Sequence, residues 1–281
     1  MFLKHRKLLI FLSLAIFLLS TLFYGYAIEK KRVVLSRQTL AIHNLPSSWK
    51  NVKIGFFGDT SFGSDMSTET FSHAVKKLRD EQPDIVFFSG NLLSPHNNKL
   101  TIDASIVHEL SSIEAPLGKF AILGEDDLLS GIDVRVRAIL QQSDFELLQS
   151  GSRPLYNQTQ QPFELLAIGA DVQGQKALDI LATDSAIPKI LLTSNNKYLL
   201  SIATNPHIVL SLAGGTYGGL IGLPFVDGLL TPSESKKHIK GPYMDNEQLI
   251  FVSRGIGTPD NFPLRLFNYP TVYLLRLQEK R

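Results

Sequence analysis

The segment FFGDTSFGS at Phe56–Ser64 closes the apolar run Val52–Phe57 with a Gly-Asp loop, and three later segments share that design. They are PDIVFFSGNLL at Pro83–Leu93, KFAILGEDDLLS at Lys119–Ser130 and LAGGTYGGLIGLP at Leu212–Pro224. A short apolar run bounded by turn residues is the pattern of a buried strand. In an α/β sheet, ligand sites form beyond the carboxyl ends of strands, which is where Asp59, Asn91 and the Glu125-Asp126-Asp127 run fall.

Working outward, Val33–Ile42 alternates enough for an edge strand, and Leu45-Pro46 breaks it before the run at Val52. Thr68–Glu81 places Phe71, Ala74, Val75 and Leu78 on one helical face with charges opposite, and Ile85–Phe88 is a short apolar strand. The alternation continues through helix Ile102–Ile113, strand Phe120–Leu123, helix Val134–Gln142, strand Leu165–Ile168, helix Gln175–Leu181 and strand Ile190–Thr193. After Pro206 the chain turns strand-rich, at Ile208–Leu212, Leu220–Leu223, Leu249–Ser253 and Thr271–Leu277, so the C-terminal third is expected to supply a second sheet. The pattern predicts an α/β protein with sheet covered by helices.

These loops resemble the metal-binding loops of the calcineurin-like metallophosphoesterases, in particular the membrane-associated branch, where the same places read D-x-H, G-D, G-N-H-D and G-H-T-H-G-G. SRGIGTPDNFPLRLFNYPTVYLLRL at Ser253–Leu277 is similar to the family's closing segment, and LAIHNLPSSWKNVKIGFFGD at Leu40–Asp59 to its entry strand. The resemblance spans about Val33 to Leu277 and implies a two-sheet sandwich flanked by helices.

Carried over position by position, the resemblance preserves Asp59, Gly124 and Asp127 but loses most metal ligands. Ser61 stands for the first-loop histidine, Asn91 for the bridging carboxylate and Glu125 for an asparagine ligand. Asp126 stands for the histidine that contacts phosphate, Ser194 for the ligand after Lys189–Leu192, and Gly215 and Tyr217 for the paired histidines. A two-metal site needs a shared carboxylate and imidazoles that suit transition ions. No catalytic residue is therefore expected, with Asp126 and Asn91 in the degenerate positions, and no cofactor. The residual candidates for metal are Asp59, Glu125, Asp126 and Asp127, whose oxygens with Asn91 would suit Mg or Ca better than a transition ion; any cofactor would be a divalent metal such as Mg or Mn. Against this, Asp59 and Asp127 are expected to accept hydrogen bonds from loop N–H groups or to cap a helix. Of the chain's seven histidines, His96 and His207 fall near these loops.

Leu8–Ile28 is apolar or aromatic apart from Ser13, Ser20, Thr21 and Gly25, and as a helix it spans roughly 30 Å. It reads as a transmembrane anchor, so the chain divides into residues 1–32, the anchor with basic flanks, and 33–281, the phosphoesterase-like domain. A cleaved signal peptide is the alternative, since Gly25-Tyr26-Ala27 has the small-x-small pattern. Lys4, Arg6 and Lys7 on one side are balanced by Lys30, Lys31 and Arg32 on the other, so orientation is open. Setting aside those six basic residues and Glu29, the 28 Lys+Arg and 26 Asp+Glu become 22 and 25, and nucleic-acid binding has no electrostatic support. The absence of cysteine excludes disulfides and thiolate metal sites. Asn157-Gln158-Thr159 is a glycosylation sequon of little weight.

The sequence thus predicts a single-pass membrane protein with a non-catalytic phosphoesterase fold, which binds a protein or a phosphorylated ligand. The alternative is an active metal-dependent hydrolase of phosphorylated or lipid-linked substrates with an oxygen-rich site.

Overall fold

A computed structural model describes residues 2–63, 66–96, 101, 103–157, 162–222, 228–233 and 235–280. Twelve strands are seen among them: β1 Val34–Ile42, β2 Lys53–Phe57, β3 Ile85–Phe88, β4 Lys119–Ala121, β5 Glu146–Leu147, β6 Gly151–Leu155, β7 Phe163–Ile168, β8 Lys189–Thr193, β9 Ile208–Ala213, β10 Gly241–Asp245, β11 Gln248–Val252 and β12 Thr271–Glu279. The helices are α1 Phe2–Phe23, α2 Thr68–Arg79, α3 Asp103–Ser111, α4 Glu125–Leu128, α5 Asp133–Gln142 and α6 Gln175–Leu181.

Two six-stranded mixed sheets face each other, ordered β1-β12-β2-β3-β4-β5 and β10-β11-β9-β8-β7-β6. Strands β2 to β5 run parallel, as do β7, β8, β9 and β11, while β12 is antiparallel to β2 and parallel to β1. The central strands are apolar throughout because both faces are covered. In β2, Ile54 and Phe56 point into the layer between the sheets, where they join Phe87, Phe120, Leu192, Leu212 and Phe251. Phe57, on the other face, packs beneath α2, α3 and α5 with Phe71, Leu78, Ile106 and Leu140. Leu166, Leu191 and Ile250 face α6 and the turn around Leu199 on the outside of the second sheet. The molecule is a helix-sheet-sheet-helix sandwich.

Helix α2 is capped by Ser67, whose hydroxyl accepts from Thr70 N at 3.1 Å, and it buries Phe71, Ala74, Val75 and Leu78. It ends two residues before the expected Glu81, since Gln82 turns left-handed (φ 52°) ahead of Pro83. Helix α3 covers the expected Ile102–Ile113 from Asp103 to Ser111, and Ile102 lies outside the described residues.

The division of the sheets corrects the sequence reading. Three of the six strands in the second sheet, β6 to β8, precede Pro206, and the last strand returns to the first sheet between β1 and β2. The expected strand Leu220–Leu223 does not form: Leu220 has φ 42°, Ile221 makes a lone bridge to Leu266, and Leu223 lies outside the described residues. Gln158 and Thr159 of the sequon also lie outside them.

Helix α1 continues through a wide turn at Tyr24–Ile28 and a tighter one at Glu29–Lys31. The stretch from His5 to Lys31 is long and apolar enough to cross a membrane, since an 18-residue window within it has a mean hydropathy of 2.3 and is only 6% buried.

Candidate functional site

The carboxyl ends of β2, β3, β4 and β9 deliver the four loops to one end of the sandwich. Backbone contact there is so close that only glycine fits at key points. A Cβ on Gly90 (φ 94°) would lie 2.3 Å from Gly124 N, and one on Gly124 would lie 2.0 Å from Asn91 Oδ1. Asp59, Ser61, Asn91 and Tyr217 all hold positive φ, at 49°, 40°, 58° and 50°. Each such residue costs on the order of 1–3 kcal/mol and persists only where its surroundings force it. The loops keep a strained, site-like geometry.

Asn91 ties two of these loops together. Its Nδ2 donates to Asp59 Oδ1 at 3.0 Å, and its Oδ1 accepts from Asp126 N at 3.0 Å. Asp59 is fully buried and also accepts from Gly215 N, at 3.0 Å to each oxygen, and from Tyr217 N at 3.2 Å. The glycine-rich loop after β9 thus turns its N–H groups onto the chain's own carboxylate. Asp127 accepts from Asn91 N and Leu92 N at 2.7 Å and from Gly124 N at 2.9 Å, bracing the loop after β3 against the start of α4.

Tyr217, almost fully buried, fills the space above Asp59. Its hydroxyl donates to Asp126 Oδ2 at 2.8 Å and bonds Ser61 Oγ. Glu125 is held at the rim by Asn195 Nδ2 at 2.7 Å. Ser194 is buried there, and its Oγ has no hydrogen-bond partner among the described residues.

Burial sets the charges. It pushes the Asp59 carboxyl up to about 6 and the Asp127 carboxyl to about 7, against the downward pull of their N–H donors. Burial also raises Asp126, and it raises the Tyr217 phenol well above its ordinary range. Arg265 lies fully buried behind Asp59 and donates to Gly257 O, Arg254 O and Asn268 O. Burial lowers its guanidinium to about 10, while the charge of Asp59 works in the opposite direction. Gly255 separates the two, since a Cβ there would lie 2.7 Å from Asp59 Cβ and 3.3 Å from Arg265 Nη2.

A cavity of about 280 Å³ opens over this network, lined among others by Asn91, His96, Glu125, Asp126, Ser194 and Tyr217. His96 Nδ1 meets Asp260 Oδ2 at 2.6 Å, and the same oxygen accepts from Ser94 Oγ. His207 lies elsewhere, at the amino end of β9, where its carbonyl accepts from Lys189 N. Asp260 and Glu29 were not foreseen from the sequence, because a single charge, on a loop for Asp260 and at the end of the long apolar helix for Glu29, carries no periodic signal.

The donor set does not fit a two-metal centre. The oxygens of Asp59 and Asp127 face N–H donors, an amide stands where a shared carboxylate is required, and Tyr217 fills the space beside it. Among the described residues, Asp59, Glu125, Asp126 and Asp127 do not converge as a group able to hold a metal ion.

No family model matches the chain. Three curated relatives do, over most of their length. The metallophosphoesterase YkuE of Bacillus subtilis is 23% identical over 91% of this chain and 90% of its own. A metallophosphoesterase of Aquifex aeolicus is 26% identical over 88% and 92%. The phosphodiesterase YaeI of Escherichia coli is 24% identical over 80% and 82%. Among solved structures, TT1561 of Thermus thermophilus is 14% identical, with a TM-score of 0.42 over 74% of this chain and 91% of that one. Divalent metals are the usual cofactors of such enzymes. By its relatives and its two facing sheets, the chain is similar over most of its length to metallophosphoesterases of the calcineurin-like kind and shares their fold.

Proposed function

We propose that the chain is a membrane-anchored, non-catalytic relative of the calcineurin-like metallophosphoesterases, with residues 1–32 as the anchor, 8–28 crossing the bilayer, and 33–281 as a binding domain. The observation that carries this is the Asn91 amide, which donates to Asp59 and accepts from Asp126 N where the family places a carboxylate between metals. A neutral amide supplies no charge to hold two dications together, and breaking its bonds would leave buried polar groups unpaired.

The cavity is the natural binding surface. Glu125, Asp126 and Asp260 line it, with no Lys or Arg among the described lining residues, so a phosphorylated ligand would meet like charge. A protein partner that presents a cationic or donor-rich group fits better. A second reading, an active hydrolase with an oxygen-rich site, has in its favour the phosphodiesterase name of the Escherichia coli relative. It requires the Asn91–Asp59 bond to open.

Elemental analysis of the full-length protein after Mn loading separates the two. The proposal predicts well under one equivalent of metal, and two equivalents would reject it. Retention of the uncleaved chain in carbonate-washed membranes tests the anchor, and its release into the supernatant would reject that part.

A further inference from the structure

We infer that one edge of the site-bearing end of the domain rests on the bilayer, with Phe267, Leu229 and Leu230 seated in its interfacial zone and the cavity left open beside it. The inference rests on the proposal that residues 8–28 cross the membrane, and it goes beyond that proposal by fixing which face of the domain meets the lipid.

The helix is not joined to the domain by a free linker. Glu29, one residue past the apolar run, is fully buried, and its carboxylate accepts from Phe267 N at 2.9 Å and from Asn268 N. Gly25, inside the run, packs so tightly that a Cβ would lie 2.6 Å from Arg265 O and 2.9 Å from Leu264 Cδ1. The Tyr24 and Tyr269 hydroxyls meet at 3.3 Å, and Lys30 Nζ donates to Pro263 O at 3.4 Å. A helix that begins in lipid at Leu8 reaches the far interface about 30 Å later, at Tyr24–Ile28. The 263–269 segment touches those same residues, so it sits at that depth.

What this segment exposes suits lipid. Phe267 is 55% exposed and held at φ 55°, a strained conformation for a bulky residue. Beside it, Gly222 N donates to Leu266 O, and Leu229 N donates to Ile221 O, which brings the exposed pair Leu229 and Leu230 onto the same face. Lys30 and Arg32 flank the same segment, Lys30 against Pro263 O and Arg32 over the Tyr269 ring, in a position to meet anionic headgroups. Strand direction agrees: β1 and β12 start at the end of the sandwich where β2 and β3 finish, with Val34 opposite Thr271 and Tyr273 opposite Phe56. The anchor and the cavity therefore share one end of the molecule.

The test uses the full chain in vesicles of phosphatidylcholine and phosphatidylglycerol, with and without brominated acyl chains. The single native tryptophan, Trp49, is fully buried and supplies the background. Phe267→Trp and Leu229→Trp should each place an indole that brominated lipid quenches about twofold or more, as for interfacial aromatics. Ile187→Trp, before β8 at the opposite end, should be quenched no more than the parent protein. Equal quenching of all three, or none for Phe267→Trp and Leu229→Trp in chain that stays in carbonate-washed membranes, would overturn the inference alone. Release of the full-length chain by carbonate would overturn it together with the anchor.

Discussion

Asn91 Nδ2 donates to Asp59 Oδ1 across 3.0 Å, a bond between an amide and a buried carboxylate in loops that meet only in the folded chain. Replacing that amide with a carboxylate, Asn91→Asp, should set two acids against each other in a buried place. Loss of stability on the order of 2 kcal/mol at pH 7.5 is expected, shrinking as the pH falls and one acid takes up a proton. Urea denaturation of the detergent-solubilised chain at pH 5 and pH 7.5 measures both effects.

The raised carboxyls of Asp59 and Asp127 set a pH dependence for the unaltered protein. Their folded values, about 6 and about 7, lie above the ordinary carboxylate value, so in that interval the native state holds more protons than the unfolded chain. These two groups therefore favour the fold most below about pH 4 and lose that contribution as pH rises to about 7, on the order of 3 kcal/mol for Asp59 and about 4 kcal/mol for Asp127. The urea midpoint should be higher at pH 5 than at pH 7.5. A midpoint that rises over the same interval would contradict the assignment.

Tyr217→Phe keeps the ring that fills the site and removes the hydroxyl shared by Ser61 and Asp126. Buried Ser61 and half-buried Asp126 each lose a partner, at a cost of about 1–3 kcal/mol. Thermal unfolding should move down accordingly, and an unchanged midpoint would show that the hydroxyl contributes nothing.

Arg265→Met should be more damaging. Three carbonyls, of Gly257, Arg254 and Asn268, lose their buried donor, and Asp59 loses the nearby cation. A loss of about 3–5 kcal/mol is expected. Arg265→Lys should recover only part of it, because an ammonium cannot reproduce the planar fork. Full recovery by lysine would reduce the role of Arg265 to charge alone.

The sequence made the sheet interiors legible wherever a strand is buried on both faces, as at Ile85–Phe88 and Lys189–Thr193, and α2 wherever Phe71, Ala74, Val75 and Leu78 repeat with helical spacing. The exposed edge strand β1 was also legible from its alternation, but three other short or exposed strands escaped it. The two-residue β5, the Pro-containing β6 and the half-exposed β10 owe their pairing to neighbours distant in sequence. The place of β12 between β1 and β2 is likewise a matter of tertiary pairing that its apolar run does not encode. At the site, Asp59, Asn91 and Asp127 could be named from their loops. Which N–H groups face them, and that Tyr217 fills the space above, depends on backbone angles at Gly90, Gly215 and Tyr217 that no pattern reveals.

The most direct test of the proposed loss of catalysis is hydrolysis of a chromogenic phosphodiester by the Mn-loaded, full-length protein and by its Asp59→Ala variant. No Mn-dependent rate above the uncatalysed background is expected from either. An Mn-dependent rate in the parent that Asp59→Ala abolishes would contradict the proposal and establish the chain as a working hydrolase.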